Sequence, residues 1–382
     1  MIALGPSDPT RSADGQAVLR RARAAAADAG VTRLADVTRL DRLGLPVWQA
    51  IRPMSRALSV HQGKGATHEA AQIGALLEAV ESHAAETFEM EGPVCRFAAL
   101  PADERAPCLA DFARHRDRPP AEDEPHRWIA AARLGSGGTI HLPFDLVSLD
   151  LTRAVPSPFD RASNGVATGS SPAEATLAAL HEFIERDAVI EWQADGMAAA
   201  MGCALDLDSV PFAWFGLWRE RIEQAGAWLQ LYRVPTLTGT PLFACEIDDL
   251  GKDNRIYRGV QGRGCHALPE IALFKALAEA LQARLTLIAG SRDDQFPSAY
   301  ARPPNGASLA FAPPLPPGAD GVRWDEIAPG PGEPEGIAAG LDRAGYPDVA
   351  LLELARPHGL AVVRAFVCGL GSMRRRRRPP LP

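Results

Sequence analysis

The chain has 382 residues, 46% of them hydrophobic and 23% charged, with a formal net charge of −7. It is long enough for one large or two ordinary domains, and its acidic balance gives no reason to expect nucleic-acid binding. No apolar stretch reaches membrane-spanning length, and Met1-Ile2-Ala3-Leu4-Gly5 has no basic region ahead of a hydrophobic run, so neither a membrane span nor a secretion signal is expected. The six cysteines, at 95, 108, 203, 245, 265 and 368, include no Cys-x-x-Cys pair, which speaks against structural zinc and for a reducing cytoplasm.

Residues 14–30 predict an N-terminal helix closed by Gly30. Residues 31–47 alternate apolar and polar, as a strand–turn–strand entry does. Gly63-Lys64-Gly65 then introduces a helix carrying Ala71, Ala75, Leu76, Glu78 and Glu81. Residues 97–126 end in a polar loop from Arg118 to Pro125. Asn164-Gly165 and Gly169 precede a second helix with Ala175, Ala179, Leu180, Glu182 and Glu185. Residues 228–234 and 241–247 read as paired strands. Gly262-Arg263-Gly264-Cys265-His266 precedes a third helix with Ala272, Ala276, Leu277, Glu279 and Gln282. Residues 293–336 are dense in Pro and Gly, including Pro313-Pro314-Leu315-Pro316-Pro317. They read as a long irregular insertion, either a lid or partner-binding loop or a tolerated surface loop. Residues 349–354 and 360–367 read as closing strands. The end, Arg374 to Arg378 followed by Pro379-Pro380-Leu381-Pro382, reads as a solvated tail rather than an RNA or membrane patch.

One pattern therefore occurs three times at intervals of roughly a hundred residues: Ala-x-x-x-Ala-Leu-x-Glu-x-x-(Glu or Gln). Positions three apart share a helix face, so each helix presents a pair of oxygen-bearing side chains. Gathered round one point, these groups would make a poor core and a good site for a hard cation. The glycine turns let backbone approach a ligand and offer amides to an anion. The repeat thus points to a magnesium–phosphate site. Three amphipathic helices with their glutamates in water is the competing reading.

The residues carrying this pattern resemble a known family. Ser163-Asn164-Gly165-Val166-Ala167-Thr168-Gly169, then Glu174-Ala175, then His181-Glu182-Phe183-Ile184-Glu185-Arg186-Asp187, resembles the central motif of YcaO-domain proteins. Leu58 to Gly65 with Glu78 and Glu81 resembles the first motif of that family. Gly264 to Pro269 with Lys275 to Arg284 resembles the third. The run Arg52-Pro53-Met54-Ser55-Arg56-Ala57-Leu58-Ser59 is most similar to the subgroup that works with TfuA proteins. The resemblance runs from about Leu45 to Leu370. It implies an α+β, YcaO-type fold, with three strand–glycine turn–helix units around a central nucleotide site. Residues 1–44 then form an N-terminal helix and entry segment, 45–370 the YcaO domain with its insertion, and 371–382 a basic, proline-rich tail.

The resemblance also implies a chemistry. With ATP and Mg2+ as cofactors, the enzyme activates a backbone amide of a precursor peptide by O-phosphorylation. A sulfur donor and a TfuA-like partner give a thioamide. A Cys, Ser or Thr side chain of the peptide gives an azoline instead, and a nucleotide-binding scaffold without turnover and an unrelated magnesium-dependent phosphotransferase also stay open. The implied partners are the peptide and a TfuA-like or other peptide-delivery protein, and a homodimer remains open. Glu182, Arg186 and Lys64 are the implied catalytic residues. Ser59, Lys64, Glu78, Asn164, Gln282 and Arg284 are the implied nucleotide contacts, and Glu78, Glu81, Glu174, Glu182 and Glu185 the implied magnesium ligands. His181 and His266 are candidate proton shuttles. Cys265 reads as a small buried thiol. The chain departs from the family pattern at Gly74 and Ser82, at Lys275, and in the ending Phe366 to Gly371.

Overall fold

The computed structural model describes residues 3–11, 14–112, 119–153, 157–249, 259–300 and 320–371. The proline run 313–317 and the arginine-rich tail lie outside the described residues. Helix α1 (Gly15–Asp28) starts at Asp14, whose carboxylate accepts from the Ala17 amide at 2.8 Å, and the chain turns at Gly30 with φ +82°. Strands β1 (Arg33–Asp36), β2 (Val47–Ile51) and β3 (Val60–Lys64) lead to α2 (His68–Thr87). Next come β4 (Val94–Cys95), β5 (His126–Leu134), β6 (Thr139–Pro143) and the short α3 (Phe144–Val147). Strand β7 (Val166–Gly169) enters α4 (Pro172–Ala194), followed by α5 (Gly196–Gly202) and α6 (Ala213–Gln224). Strands β8 (Ala227–Arg233), β9 (Leu242–Asp249) and β10 (Val260–Cys265) lead to α7 (Pro269–Ala289). Helix α8 (Pro334–Arg343) and the hairpin β11 (Val349–Ala355) and β12 (Ala361–Val367) complete the chain.

The same unit is built three times. β1–β2–β3 and β8–β9–β10 are antiparallel three-stranded sheets, and in each the last strand enters a glutamate-bearing helix, α2 or α7. The middle unit is assembled from distant parts of the chain. β7 pairs antiparallel with β12, and β12 with β11, so the C-terminal hairpin supplies the strands that precede β7 in the sheet. This sheet continues through β11 to β5 and β4, with β6 on the side of β5. The first sheet also crosses the expected boundary at residue 44, because β1 pairs with β2.

The repeated glycines and alanines have a different use from the one expected. Gly63, Gly169, Gly262 and Gly264 lie in strands rather than in turns. A Cβ on Gly63 would sit 2.0 Å from the Ala71 carbonyl oxygen, and one on Gly262 would sit 2.1 Å from the Ala280 amide nitrogen. Gly264 and Gly169 would meet helix backbone at 2.2 and 2.5 Å. Ala71, Ala75, Ala175, Ala272 and Ala276 are fully buried opposite them. Glycine on the strand and alanine on the helix let backbone pack on backbone, which brings each helix's polar face to the same depth.

Trp324, in the described end of the insertion, packs edge-on to Phe212 and stacks on Phe243, so this part joins the third unit. Among the described residues no helix is long and apolar enough to cross a membrane.

Gly262→Ala should therefore cost about 1–3 kcal/mol or more through overpacking. Gly216→Ala, inside α6 with nothing within 4 Å of the new methyl, should be neutral or stabilise by roughly 0.5–1 kcal/mol. Denaturant midpoints at constant slope check both, and equal effects would contradict the packing account.

Candidate nucleotide site

The polar pairs on α2, α4 and α7 are joined in a ring. Glu78 accepts a hydrogen bond from the Gln62 amide of its own unit at 2.8 Å. Glu81, one turn on, accepts from the Thr168 amide on β7 at 2.7 Å. Glu185 on α4 accepts from the Cys265 amide on β10 at 3.1 Å. Gln282 on α7 returns to the first unit, accepting from Lys64 Nζ on β3 at 3.0 Å, and Glu279 lies 3.2 Å from the same ammonium. The second polar group of each helix thus holds the last strand of the next unit. The first members, Glu78, Glu182 and Glu279, are left to face inward. The Glu182 and Glu279 side chains keep 28% and 30% exposure, so the ring stays open on one side.

Desolvation dominates the electrostatics. Burial raises the pKa of Glu78, and it raises Glu81 well above the ordinary range with help from Glu182 and Glu78. Burial lifts Glu182 to about 7 against the opposing pull of Arg186, and it raises Glu185, which also feels Glu279. Glu279 goes the other way: burial is outweighed by Lys64 and Arg186, so its pKa is lowered. Arg186 is opposed by burial, yet Glu182, Glu185 and Glu279 hold its pKa above the ordinary value. Its Nε lies 3.9 Å from Glu182 and makes no hydrogen bond. The Thr168 hydroxyl and His181 Nε2 are also buried without a hydrogen-bond partner.

These residues fit a magnesium nucleotide. Desolvated carboxylates supply hard oxygen donors, and an arginine with a free donor and a lysine supply phosphate contacts. Among the described residues, no group of three or more His, Cys, Asp or Glu stands ready to hold a metal ion unaided. Phosphate and water oxygens would have to complete any magnesium shell.

Other expected residues sit elsewhere. Glu174 is at the head of α4, held by the Ser170 hydroxyl and by Arg11 at 3.0 Å, two turns or roughly 12 Å of helix rise from Glu182. Asn164 donates to the Gly371 carbonyl at 3.3 Å, and the Ser59 amide donates to Asp293 at 3.0 Å. Arg284 is committed to a buried fold contact, with Asp41 at 3.0 Å and Asp249 at 3.2 Å, rather than to the ring. The His181 and His266 rings are 5.2 Å apart, and burial lowers both pKa values, His266 to about 4. Burial pushes the Cys265 thiol up, which disfavours a thiolate. Arg263 and Arg292 were not expected among the site residues, Lys275 was noted only as a departure in the third motif, and Glu279 was expected only as a member of the repeated polar pairs. Arg263 acts on Glu185 and Glu279, Lys275 on Glu182 and Glu185, and Arg292 on Glu78. Glu279 was legible as the third-helix counterpart of Glu78 and Glu182.

Comparison with known proteins agrees with this architecture. Residues 62–371 match the family model described as YcaO cyclodehydratase, ATP- and Mg2+-binding. The chain belongs to the YcaO family, and ATP and Mg2+ are the cofactors that family carries. It is 35% identical over 286 residues to an uncharacterized protein encoded in the tfuA 3′ region of Rhizobium leguminosarum bv. trifolii, covering 74% of this chain and 68% of that one. It is 31% identical over 361 residues to an uncharacterized protein of Methanothermobacter thermautotrophicus, covering 89% and 90%. Among solved structures, YcaO from Methanopyrus kandleri bound with AMPPCP and Mg2+ superposes with a TM-score of 0.69 at 23% identity, covering 97% of this chain and 96% of that one. A heterocyclase in complex with substrate and cofactor gives 0.73 at 20% identity. There the match covers 97% of this chain but only 53% of the heterocyclase. Both structures show the shared fold.

Two outcomes follow from the charges. An acid whose folded pKa is raised from 4.5 to about 7 stabilises the fold most below 4.5, and that contribution is lost as pH rises through about 7. Thermal melts of the apoprotein should fall more steeply between these values in the wild type than in Glu182→Gln, and parallel curves would contradict the assignment. Arg284→Met should cost about 3–5 kcal/mol, because it removes the cation that Asp41 and Asp249 share in a buried cluster. The folded variant should retain wild-type Mg–ATP affinity by calorimetry. A selective loss of affinity would return Arg284 to the site.

Proposed function

We propose that this protein uses ATP and Mg2+ to activate a backbone amide of a precursor peptide by O-phosphorylation, giving a thioamide with a sulfur donor and a TfuA-like partner. The observation that carries the ATP-dependent part is the ring itself: inward glutamates from three helices, with Lys64 and Arg186 between them. Bound ATP and Mg2+ supply the phosphoryl group that makes the amide oxygen a good leaving group. Glu78, Glu81, Glu182 and Glu185 would hold magnesium. Lys64, fixed by Glu279 and Gln282, presents an ammonium to phosphate. Arg186 presents its free Nε–H beside Glu182. Burial lifts the pKa of Glu182 to about 7, and a cation held there would draw it back toward its ionised form. A covalent route through Cys265 is disfavoured by its buried thiol.

The thioamide outcome is supported by the relative encoded in the tfuA 3′ region. The azoline outcome is the second reading, because the family model is described as a cyclodehydratase. Six free cysteines accord with a reducing, cytoplasmic setting.

Mass spectrometry of a candidate peptide incubated with the chain, Mg–ATP, a sulfur source and the partner separates the readings. A gain of about 16 daltons with release of ADP and phosphate supports thioamidation, and a loss of about 18 daltons assigns the azoline. Mg–ATP binding with no mass change under any combination would favour a scaffold.

A further inference from the structure

On the open side of the ring stand two arginines that make no side-chain hydrogen bond among the described residues. Arg186 on α4 keeps 39% of its side chain exposed, and its Nε lies 3.9 Å from Glu182, beyond hydrogen-bond distance. Arg263 belongs to β10. Gly262 and Gly264 on either side of it press against the backbone of α7, so the alternation of the strand turns Arg263 to the other face. Its register partner on β9 is Ala244, whose methyl group offers it nothing to bond. Two residues on, the Cys265 amide is bonded to Glu185, which brings this end of β10 alongside the turn of α4 that carries Arg186.

The neighbouring acids do not close on this pair. Glu185 is taken up by the Cys265 amide, Glu279 lies 3.2 Å from Lys64, and Arg263 forms no ion pair among the described residues. Burial, and after it the charge of Arg186, lower the pKa of Arg263, while Glu279 and Glu185 act against them. Two like charges side by side, each with an unused planar fork of donors, suit an anion that both can grip. A terminal phosphoryl group offers three free oxygens and the larger charge, whereas an internal phosphate of a nucleotide has one oxygen and one charge fewer.

We propose that Arg263 is a phosphate contact of this site, acting with Arg186 to hold the terminal phosphoryl group of ATP at the open side of the ring. Lys64, already fixed by Glu279 and Gln282, and the inward glutamates are then left for magnesium and the rest of the triphosphate. The open side is also where a peptide can reach the group that Arg186 and Arg263 hold. The assignment rests on the ATP-dependent reading above and deepens it, by adding a residue and by fixing which part of the nucleotide lies outermost. In the sequence Arg263 is only the residue between two glycines. The strand that turns those glycines toward α7 is what turns the arginine toward α4.

The test is calorimetry of the full chain with Mg–ATP and with Mg–ADP. Arg263→Met keeps most of the length of the side chain and removes its charge. It should weaken Mg–ATP binding by roughly tenfold or more and change Mg–ADP binding by less than about twofold, because only ATP carries the terminal group. Arg263→Lys keeps the charge but loses the fork, so its ratio of ATP to ADP affinity should fall between those of the wild type and Arg263→Met. Both apoproteins should melt close to the wild type, since no side-chain bond is lost. The proposal is overturned if Arg263→Met binds Mg–ATP like the wild type, or if it loses ATP and ADP affinity alike. Should Arg263→Met fail to fold, Arg263→Lys decides, and a wild-type affinity ratio there overturns the proposal. A wild type that binds neither nucleotide removes the ATP-dependent reading itself and this contact with it, which tells the two failures apart.

Discussion

The arrangement depends on carboxylates and an amide that bond across units rather than within them. Glu81 reaches the strand of the middle unit, Glu185 reaches the strand of the third, and Lys64 closes the circle onto Gln282. Each bond has a charged or strongly polar side chain on one side, and two of them capture a backbone amide at the end of a strand. Such charge-assisted bonds are short and directional, so they set the angle at which neighbouring units meet. Once those angles are set, the position of the inward glutamates follows from a spacing of three residues on each helix.

That geometry carries an electrostatic burden. Glu78, Glu81, Glu182 and Glu185 are all pushed toward their neutral forms by burial, and several repel one another. A core selected only for stability would put apolar groups there. The cations near the ring, Lys64, Arg186, Arg263 and Lys275, offset only part of the charge. A divalent cation arriving with a polyphosphate supplies both the positive charge the carboxylates lack and the negative charge the basic groups lack. The unpaired donor on Arg186 and the unpaired hydroxyl of Thr168 belong to the same picture.

The site was legible in outline because a helix converts sequence spacing directly into a shared face. Glu78 and Glu81, Glu182 and Glu185, and Glu279 and Gln282 are pairs of that kind. What each pair bonds to was not legible, since the Thr168 and Cys265 amides come from other units. The glycines were legible as special positions but not in their use, because an anion-binding turn and a strand pressed against a helix both call for glycine. Gly63 and Gly262 serve the second purpose. Arg284 shows the limit of local reading. It stands two residues after Gln282, but that step turns it roughly 200° round the helix, toward Asp41 and Asp249.

The C-terminal hairpin was read as a pair of strands, yet its larger role lies in the middle unit. β7 has the same place in its sheet as β3 and β10, but its neighbours arrive almost two hundred residues later, as β12 and β11. Contacts of such high sequence separation carry a loop-closure cost, which grows only slowly with the length of the loop. β12 also brings Arg364, buried and held by the carbonyls of Val147 and Ala162 at 3.1 and 2.7 Å. Burial drives its pKa down to about 10, while Glu182 pulls the other way. The last strand therefore completes the sheet beneath α4 and places a positive charge that acts on Glu182. The helix that carries Glu182, Glu185 and Arg186 gains its full support only when the end of the chain is in place, so the site is a property of the closed three-unit structure and not of any one repeat.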